Sequence, residues 1–507
     1  MGLPKTLPEV LHRAASLFPQ NLAICDGEVS FTYSELYEAQ KSISKSLSTY
    51  NLKKGDKVAI CAENSHYWVT AACALGSIGL VLVPINPSFT ESELSEVLER
   101  SGAKILFTSL DLSNLKARSS LIEIIPFTPK SWRSFAEKGA HVKDSLLEQL
   151  TQKVSSMDPM DLMFTSGTTG VPKGVQTSHD KNIKVFSAWS EAVGLKESDR
   201  YLVVNPFFHT FGYKAGWFAA LLKGAAIFPM AKFHREKVLC TIEKEKITVL
   251  PGAPSLYELL LKGDDLYSYD LKSLRLAVTG AAMIPVRLVE KIKHTLGFKN
   301  VFTAYGLTEA TGVVTISKKE DTIEKIATTS GVPISGVTLK CVDPLTLKET
   351  KVGEAGEIWV KGYNVMAGYE NLPKETESAL TKDGWLRTGD IGSLDKEGYL
   401  SIKDRLKDMY IMNGQNVYPA DVERAIARQE GVGQVAVVGV KKQPQGEVGA
   451  AFVVAKKGGS VKEKDLKDFC LSHLAPYKRP FEYHFVEKLP LNGVGKVDKK
   501  ALRELTL

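Results

Sequence analysis

The chain has 507 residues, 44% of them hydrophobic and 24% charged, with 20 Phe, 17 Tyr and 6 Trp. This composition excludes a disordered chain, and the length leaves room for two or more domains with large cores. The six cysteines are scattered without a CxxC pair, which argues against a disulfide framework or a zinc site and favours reduced thiols in a cytoplasmic protein. The net charge of +7 is uneven, because residues 407–507 hold 17 Lys and Arg against 12 Asp and Glu.

Two N-terminal segments bear on membrane association. The start "MGLPKTLPEV" lacks an apolar signal core, and so short a match to the myristoylation pattern M-G-x-x-x-[ST] is usually accidental. The uncharged run 66–90 is interrupted by Gly76, Gly79, Pro84 and Pro87. It therefore predicts a buried helix followed by the strand "LVLV", and not a membrane span. We expect a soluble protein with no transmembrane segment.

Short β-branched runs alternate with helical stretches along the first 330 residues, which predicts layered α/β structure. Six runs read as strands that enter a turn: "KVAICAEN", "AKILFTS", "DRYLVVNPFF", "ITVLPGAP", "LRLAVTGAA" and "NVFTAYGLTE". Several of these turns carry small or polar residues, as is typical of strand ends that face a ligand crevice.

The alternation of strands and helices gives way to a series of short strands after Gly331. The runs "VTLKCVD", "GEIWVKG" and "GYLSIKD" predict a β-rich, antiparallel subdomain. From Lys407 the order helix, two strands, helix and strand predicts a small α+β domain. The sequence thus divides into a large domain, 1–406, and a small basic domain, 407–507. The basic surplus suits either a solvated lysine-rich surface or a surface that binds a polyanionic ligand; no DNA- or RNA-binding motif is present, and we expect no nucleic acid partner.

The segment "TSGTTGVPKG", 165–174, is unusually small and flexible. The strand "DLMF" precedes it, and a helix can follow Ser178. Strand, glycine-rich loop and helix is an arrangement in which backbone N–H groups surround phosphate oxygens. The spacing is not that of a Walker loop, so an ordinary P-loop NTPase is not supported. By itself the segment predicts a phosphate-binding loop, with a flexible linker as the alternative.

Four further strings occur with this loop: "YGLTE" (305–309), "TGD" (388–390), "DRLKD" (404–408) and "NGVGKVDK" (492–499). Together the five strings resemble the adenylate-forming superfamily, which comprises acyl-CoA synthetases, adenylation domains of peptide synthetases and luciferases. The resemblance covers nearly the whole chain in order and spacing. It implies transfer of AMP from ATP to a carboxylate, followed by attack of a thiol on the acyl-adenylate.

The resemblance implies an ATP site in the large domain. The loop would hold the β- and γ-phosphates through Thr165, Ser166, Gly167, Thr168, Thr169, Gly170 and Lys173. Thr308 would bond the α-phosphate, and Glu309 would hold Mg²⁺, a hard ion that prefers oxygen ligands. Read alone, Glu309 is instead an acid at a helix N-terminus.

The base and ribose of ATP would occupy residues farther along the chain. Gly280, Ala281 and Ala282 are small enough for adenine to lie against the backbone, while Tyr305, followed by Gly306, can stack on its other face. Asp390 would accept the ribose hydroxyls with Arg405 nearby. Without the motifs, the small residues would indicate only tight packing, Asp390 would be an ordinary turn residue, and Arg405 would be a surface arginine.

Two residues are implied at the reacting carboxylate. Lys496 in "GVGK" would reach the carboxylate and the α-phosphate and neutralise charge in the transition state. His209 in "PFFHTFG" matches a position that lines the acyl pocket, with Phe208 and Phe211 beside it; a histidine among aromatic residues is otherwise a packed core residue. We predict Lys496, Thr308 and His209 as the catalytic residues.

The second half-reaction requires a thiol. Lys478 and Arg479 in "APYKRP" are candidate contacts for the phosphates of coenzyme A, and Asn413 and Gly414 match the loop beside the pantetheine channel. Asn413 departs from the commoner glycine pair at this position, which leaves the channel's shape open. Lys407 matches the family's hinge, about which the small domain would rotate between the half-reactions.

The sequence therefore predicts an acid–CoA ligase with ATP, Mg²⁺ and coenzyme A as cofactor and co-substrates, acting on a small-molecule carboxylic acid. The aromatic segment "FFHTFGYKAGW" favours a hydrophobic acid. Two alternatives stay open: an enzyme that loads a separate carrier protein, and a non-catalytic binding protein with the same fold. The identity of the acid and the oligomeric state are not readable from the sequence.

Overall fold

A computed structural model describes residues 2–111, 121–165, 172–280, 284–412, 415–442, 446–456, 459, 461–491 and 497–506. Packing divides the chain into two compact units. The first comprises residues 1–339 and 360–386, and the second comprises residues 340–359 and 387–507. Within the described residues, no helix combines the length and apolar character that a membrane span requires.

The first unit alternates strands and helices, as predicted. Its helices are α1 Leu7–Leu17, α2 Tyr33–Ser48, α3 His66–Ser77, α4 Glu91–Ser101, α5 Pro129–Lys138, α6 Asp144–Gln152, α7 His179–Val193, α8 Thr210–Gly212, α9 Ala219–Lys223, α10 Arg235–Glu245, α11 Pro254–Leu260, α12 Val286–His294, α13 Ile323–Thr328 and α14 Pro373–Ala379. Its strands are β1 Leu22–Asp26, β2 Val29–Thr32, β3 Lys57–Cys61, β4 Val81–Ile85, β5 Ile105–Thr108, β6 Glu123–Pro126, β7 Pro159–Thr165, β8 Lys173–Ser178, β9 Arg200–Val203, β10 Ala226–Pro229, β11 Val249–Pro251, β12 Leu276–Gly280, β13 Asn300–Tyr305, β14 Thr315–Ile316 and β15 Val332–Pro333.

These strands form two sheets of mainly parallel strands. One has the order β15-β14-β13-β12-β11-β9-β10-β1-β2, and the other has the order β6-β5-β3-β4-β7-β8. The six predicted runs supply β3, β5, β9, β11, β12 and β13. Since these strands are parallel to their neighbours among them, their carboxyl ends lie at a common edge of each sheet, where the polar turns were predicted to meet a ligand.

The uncharged run 66–90 forms a helix and a strand inside this unit, which confirms the prediction. Ser65 caps α3 by accepting the Trp68 N–H, and nearly every side chain of α3 is buried. The strand β4 that follows is buried along its whole length and pairs with β3 and β7. An apolar stretch that is buried on all sides needs no polar face, which explains its membrane-like composition.

The helix predicted after Ser178 is present, but an unpredicted strand precedes it. The glycine-rich loop is not followed directly by a helix, because Lys173–Ser178 first returns as β8 and pairs antiparallel with β7. The two ends of the loop, Thr165 and Lys173, therefore face each other on antiparallel strands. Ser178 then caps α7 by accepting the Lys181 N–H, so the helix begins where predicted.

Strand pairing in the second unit is mainly antiparallel, with one parallel pair. The described part of the unit also contains three α-helices. Its strands are β16 Val337–Val342, β17 Gly356–Gly362, β18 Leu386–Leu394, β19 Leu400–Arg405, β20 Tyr410–Met412, β21 Gln415–Val417, β22 Val432–Lys442, β23 Gly446–Ala455 and β24 Glu482–Phe485. Its helices are α15 Pro419–Ile426, α16 Glu463–His473 and α17 Lys499–Glu504. The strands form the sheet β16-β17-β18-β19 and a second sheet in which β23 pairs with β20, β22 and β24.

The C-terminal order of α15, β22, β23, α16 and β24 is the order that the sequence predicts. The boundary at 407 stays a prediction. The contacts group residues 340–359 and 387–406 with the C-terminal unit, whereas the predicted boundary concerns a rotation about Lys407.

Candidate active site

The phosphate-binding prediction concerns the tip of the β7–β8 hairpin. Thr165 ends β7 and faces Lys173, which begins β8. The Thr165 hydroxyl donates to the Lys173 carbonyl oxygen over 3.4 Å. The predicted residues between them, Ser166, Gly167, Thr168, Thr169 and Gly170, lie outside the described residues. The structure therefore places the two arms of the loop side by side and holds Lys173 on a strand.

Tyr369 connects the Lys173 side chain to Glu309. The Lys173 ammonium lies 5.1 Å from the centre of the Tyr369 ring, and the Tyr369 hydroxyl donates to Glu309 Oε1 over 3.0 Å. Burial, together with the neighbouring Glu309 carboxylate, raises the pKa of Tyr369, so the phenol stays protonated and donates. Lys173 and Glu309, far apart in sequence, thus belong to one cluster, as the resemblance implies.

Tyr369 was not among the residues predicted from the sequence. A backbone bridge joins it to Val175 in β8, and the Glu370 N–H donates to the Gly174 carbonyl oxygen over 2.8 Å. A single tyrosine in "MAGYENLP" carries no local signal of chemistry, because its contacts are long-range. Only the pairing of this segment with the outgoing arm of the hairpin reveals it.

The "YGLTE" segment follows β13 as a tight turn. Thr308 and Glu309 lie in a single 3₁₀ turn, Thr308–Ala310, and both are half-buried. A Cβ on Gly306 would lie 2.0 Å from the Gly312 carbonyl oxygen, so only glycine fits this close approach. The turn is also fixed by the Met366 N–H, which donates to the Glu309 carbonyl oxygen over 2.8 Å. A rigid turn thus presents the two residues expected at the α-phosphate and Mg²⁺.

The predicted adenine residues lie at the adjacent ends of two parallel strands. Gly280 ends β12 opposite Ala304, and Tyr305 ends β13. A Cβ at position 280 would lie 2.5 Å from the Ala304 carbonyl oxygen, so strand packing alone requires glycine there. Ala281 and Ala282 lie outside the described residues. The structure brings Gly280 and Tyr305 to one sheet edge but leaves the adenine contact a prediction.

The predicted acyl segment follows β9. His209 is exposed, and its Nδ1 accepts the Phe211 N–H over 3.2 Å, which caps the single turn α8. Phe208 and Phe211 are half-buried. His209 is therefore not a packed core histidine, which removes that alternative.

A buried asparagine that the sequence analysis missed supports this segment. Asn64, which follows β3, accepts the Phe207 N–H over 2.7 Å and donates to the carbonyl oxygens of Val203 and Asn205 over 3.2 and 2.9 Å. Asn64 thereby ties the end of a strand in one sheet to the end of a strand in the other.

In the second unit, Asp390 and Arg405 are paired as predicted. They face each other across β18 and β19, and Arg405 Nε lies 2.9 Å from Asp390 Oδ1. The Asp390 side chain is 6% exposed, whereas that of Arg405 is 53% exposed. A nearly buried carboxylate beside a solvent-facing guanidinium is chemically suited to accept hydroxyl donors such as those of a ribose.

Of the remaining predicted residues of this unit that the structure describes, one is exposed and two donate hydrogen bonds within the unit. Lys407 is exposed, in a turn closed by the Asp408 N–H, which donates to the Arg405 carbonyl oxygen over 3.0 Å. Lys478 Nζ donates to Asp421 Oδ2 over 3.2 Å, and Arg479 donates to two carbonyl oxygens at the end of α16. Asn413, Gly414 and Lys496 lie outside the described residues.

Comparison with known proteins identifies the family. The family model of AMP-binding enzymes matches residues 11–370, and the model of the AMP-binding enzyme C-terminal domain matches residues 421–496. The chain belongs to the AMP-binding enzymes.

The relatives of this AMP-binding enzyme are acid–CoA ligases. It is 42% identical to a 3-[(3aS,4S,7aS)-7a-methyl-1,5-dioxo-octahydro-1H-inden-4-yl]propanoyl:CoA ligase of Rhodococcus jostii, over 99% of each chain. It is 33% identical to a long-chain-fatty-acid–CoA ligase of Bacillus subtilis, over 99% of this chain and 94% of the relative. Its structure matches that of o-succinylbenzoate coenzyme A synthetase of B. subtilis in complex with ATP and magnesium ion, with a TM-score of 0.83, 28% identity and coverage of 98% and 99%. The chain is an ATP-dependent acid–CoA ligase.

The donor set of this AMP-binding enzyme fits Mg²⁺ held jointly with phosphate. Within the described part of the chain, no three His, Cys, Asp or Glu side chains cluster as a metal-binding group. Mg²⁺ is commonly bound by one or two carboxylates together with substrate phosphates, and not by an all-protein cage. The single carboxylate of Glu309, clustered with Lys173 through Tyr369, agrees with that mode of binding.

Proposed function

We propose that this ligase activates a hydrophobic carboxylic acid as its acyl-adenylate and then transfers the acyl group to coenzyme A. The observation that carries the proposal is the cluster of Lys173, Tyr369 and Glu309 beside the hairpin tip. It gathers a cation for phosphate, a carboxylate for Mg²⁺ and a phenol that orients the carboxylate. These are the groups that a nucleoside triphosphate and its metal ion require.

In the first half-reaction, a carboxylate oxygen of the acid attacks the α-phosphorus of ATP, and the bond from that phosphorus to pyrophosphate breaks. Lys173 and the hairpin loop hold the leaving pyrophosphate, and Thr308 and Lys496 donate to the phosphoryl oxygens on which charge accumulates. Glu309 would hold Mg²⁺, which supplies charge neutralisation at the phosphates. Asp390 and Arg405 hold the ribose, while Gly280 and Tyr305 flank adenine. Positioning and electrostatics supply the catalysis.

In the second half-reaction, the thiolate of coenzyme A attacks the acyl carbon and AMP leaves. Lys478 and Arg479 are proposed to contact the phosphates of coenzyme A, which requires each to exchange its present partner. Asn413 and Gly414 are proposed to line the pantetheine channel. Lys407 is proposed as the hinge about which the small domain rotates between the two steps, so that the pantetheine channel replaces Lys496 beside the adenylate.

The proposed substrate is an acid with an apolar body. Phe208 and Phe211 flank His209 at the proposed acyl pocket, and aromatic surfaces bind apolar groups. The relative at 42% identity is named for a propanoate on a fused-ring ketone, whereas the relative at 33% is named for long-chain fatty acids. We propose a ring-bearing propanoate as the class to test first. A cytoplasmic location is part of the proposal, supported by six cysteines that are all free thiols.

The test is acid-dependent exchange of pyrophosphate into ATP across a panel of ring-bearing propanoates, linear fatty acids and amino acids. Exchange with apolar acids supports the proposal, and exchange with amino acids alone contradicts it. Coenzyme A and a phosphopantetheinylated carrier protein are then offered to the preformed adenylate. AMP release with the carrier alone would favour the carrier-loading alternative, and the absence of exchange with every acid would favour a non-catalytic binding protein.

A further inference from the structure

A fully buried ion pair lies at the base of the β7–β8 hairpin, which we call the phosphate hairpin. It belongs to none of the predicted sites. Lys214 and Asp161 are both 0% exposed, and Lys214 Nζ lies 3.0 Å from Asp161 Oδ1. Lys214 Nζ also donates to the Thr177 hydroxyl oxygen over 2.8 Å, and that hydroxyl donates to Asp161 Oδ1 over 2.7 Å. Asn182 donates to Asp161 Oδ2 over 3.0 Å. We refer to Lys214, Asp161, Thr177 and Asn182 as the Lys214 cluster.

The cluster joins two segments that the proposed mechanism uses. Asp161 and Thr177 are cross-strand partners in β7 and β8, the two arms that carry the phosphate loop. Lys214 lies in a kinked helical segment, Tyr213–Phe218, that directly follows the acyl segment with His209 and α8. One buried ion pair therefore connects the base of the phosphate hairpin to the continuation of the proposed acyl pocket.

Stability alone does not explain this pair. Removing two charges from water costs more than a buried pair commonly returns, and apolar residues of similar volume are often equally stable. Burial lowers the pKa of Lys214, and the adjacent Asp161 carboxylate opposes that shift. An ion pair differs from apolar packing because its contacts are directional. Five hydrogen bonds join the members of the cluster, and each has a preferred length and angle.

The surrounding backbone supports a geometric role. The segment Tyr213–Phe218 is irregular, because Gly216 has non-helical dihedrals, φ −92° and ψ −108°, and kinks the chain. The Tyr201 hydroxyl donates to the Ala215 carbonyl oxygen over 2.6 Å, which ties the same turn to β9. The Lys214 ammonium and the Tyr213 hydroxyl, which donates to Asp161 Oδ2 over 3.4 Å, thus fix this irregular turn to the hairpin.

We propose that Lys214 and Asp161 are positioning residues for adenylate formation: they set the acyl segment relative to the phosphate hairpin, so that the bound carboxylate is aligned with the α-phosphate. This inference rests on the proposed roles of the hairpin and of His209. Neither residue is proposed to touch substrate. Misplacement of reacting groups by about 1 Å can cost about 100-fold in rate.

The main test is the double variant Lys214→Met with Asp161→Leu, which replaces the ion pair with apolar side chains. The rate constant of acid-dependent pyrophosphate exchange should fall at least about tenfold, while the KM for ATP stays within about threefold of wild type. The thermal midpoint should lie closer to that of wild type than the midpoint of either single variant, because neither charge is left buried without its partner. A folded double variant with wild-type exchange kinetics would overturn the proposal.

A second pair of variants covers failure of the double variant to fold. Thr177→Val removes the hydroxyl shared by Lys214 and Asp161 at nearly constant volume, whereas Thr177→Ser keeps it. The valine variant should lose about threefold to tenfold in rate constant, and the serine variant should retain the wild-type value. Equal rate constants in the two variants would contradict a positioning role.

The matched control is the ion pair between Arg275 and Asp199, with Arg275 Nε 2.6 Å from Asp199 Oδ1. These residues precede β12 and β9, at the amino ends of the strands and away from the proposed site. Arg275→Met should lower the thermal midpoint without changing the exchange rate constant per folded molecule. An equal fall in rate constant in this control would show that general destabilisation explains the cluster variants. If wild type itself shows no acid-dependent exchange, the proposed function fails, which is a separate result.

Discussion

Replacement of Asp390 by asparagine tests the proposed ribose contact. Asp390 is almost fully buried and is paired with Arg405 at 2.9 Å. Asparagine preserves the volume but removes the charge and places an N–H₂ group where one carboxylate oxygen lies. One charge-assisted hydrogen bond to a ribose hydroxyl would then be lost and replaced by a contact between two donors.

The magnitude follows from the strength of that bond. A hydrogen bond to a charged group contributes about 2 kcal/mol, which corresponds to about a 30-fold weaker affinity for ATP. The effect on folding should be smaller, because the Arg405 side chain is 53% exposed and water screens its pairing with Asp390. Such a pair contributes up to about 1 kcal/mol to the free energy of unfolding.

The assay is titration calorimetry of ATP at saturating Mg²⁺, combined with urea unfolding. Asp408→Asn is the matched control, because Asp408 is also nearly buried and pairs with Arg503 at 2.9 Å in the same unit. The control should lose stability and keep its ATP affinity. An Asp390→Asn protein that binds ATP within threefold of wild type would refute the ribose assignment, as would an equal loss of affinity in the control.

Three further predictions follow from single residues. Lys496→Ala should reduce adenylate formation by about 10²–10³ and leave attack of coenzyme A on supplied acyl-AMP largely intact; equal losses in the two half-reactions would refute the role of Lys496. Lys407→Pro should spare the acyl-AMP burst within about tenfold but cripple acyl-CoA turnover, because proline fixes φ at the third position of the turn that starts at Arg405; an unimpaired acyl-CoA rate would contradict the hinge. Burial lowers the pKa of His179 from 6.5 to about 4 while its Nδ1 accepts the Leu7 N–H, so neutral histidine is required in the fold. Below pH 6.5 the unfolded chain therefore binds more protons than the folded chain, and the free energy of unfolding should fall by about 3 kcal/mol between pH 6.5 and 4. His179→Asn keeps a hydrogen-bond acceptor but cannot titrate, so urea unfolding of this variant should show a correspondingly shallower pH dependence. An identical pH dependence in the variant and the wild type would refute the role of His179.

The family and its chemistry were predictable from the sequence because each signal is local. The strings around Thr165, Tyr305, Asp390 and Arg405 specify turns and hairpins of a few residues, and their types suit phosphate, metal and ribose. The pairing of Asp390 with Arg405 required only that β18 and β19 be adjacent strands of one antiparallel sheet. The buried run 66–90 was likewise readable, since its composition excludes both a polar face and a continuous membrane span.

Contacts that depend on long-range pairing were not predictable in this way. Tyr369 meets Glu309 and Lys173 only because its segment bridges to β8, and Asn64 supports the acyl segment only because β3 and β9 end at neighbouring sheet edges. The hairpin return of Lys173–Ser178 was missed for the same reason, since its strand character depends on pairing with β7. The sequence by itself determined the motifs, their order and the residue types that the chemistry requires. The tertiary structure alone decided which of these residues meet, and it enclosed Lys214 and Asp161 in one dry cluster, because burial and charge pairing arise only when distant strands and helices pack together.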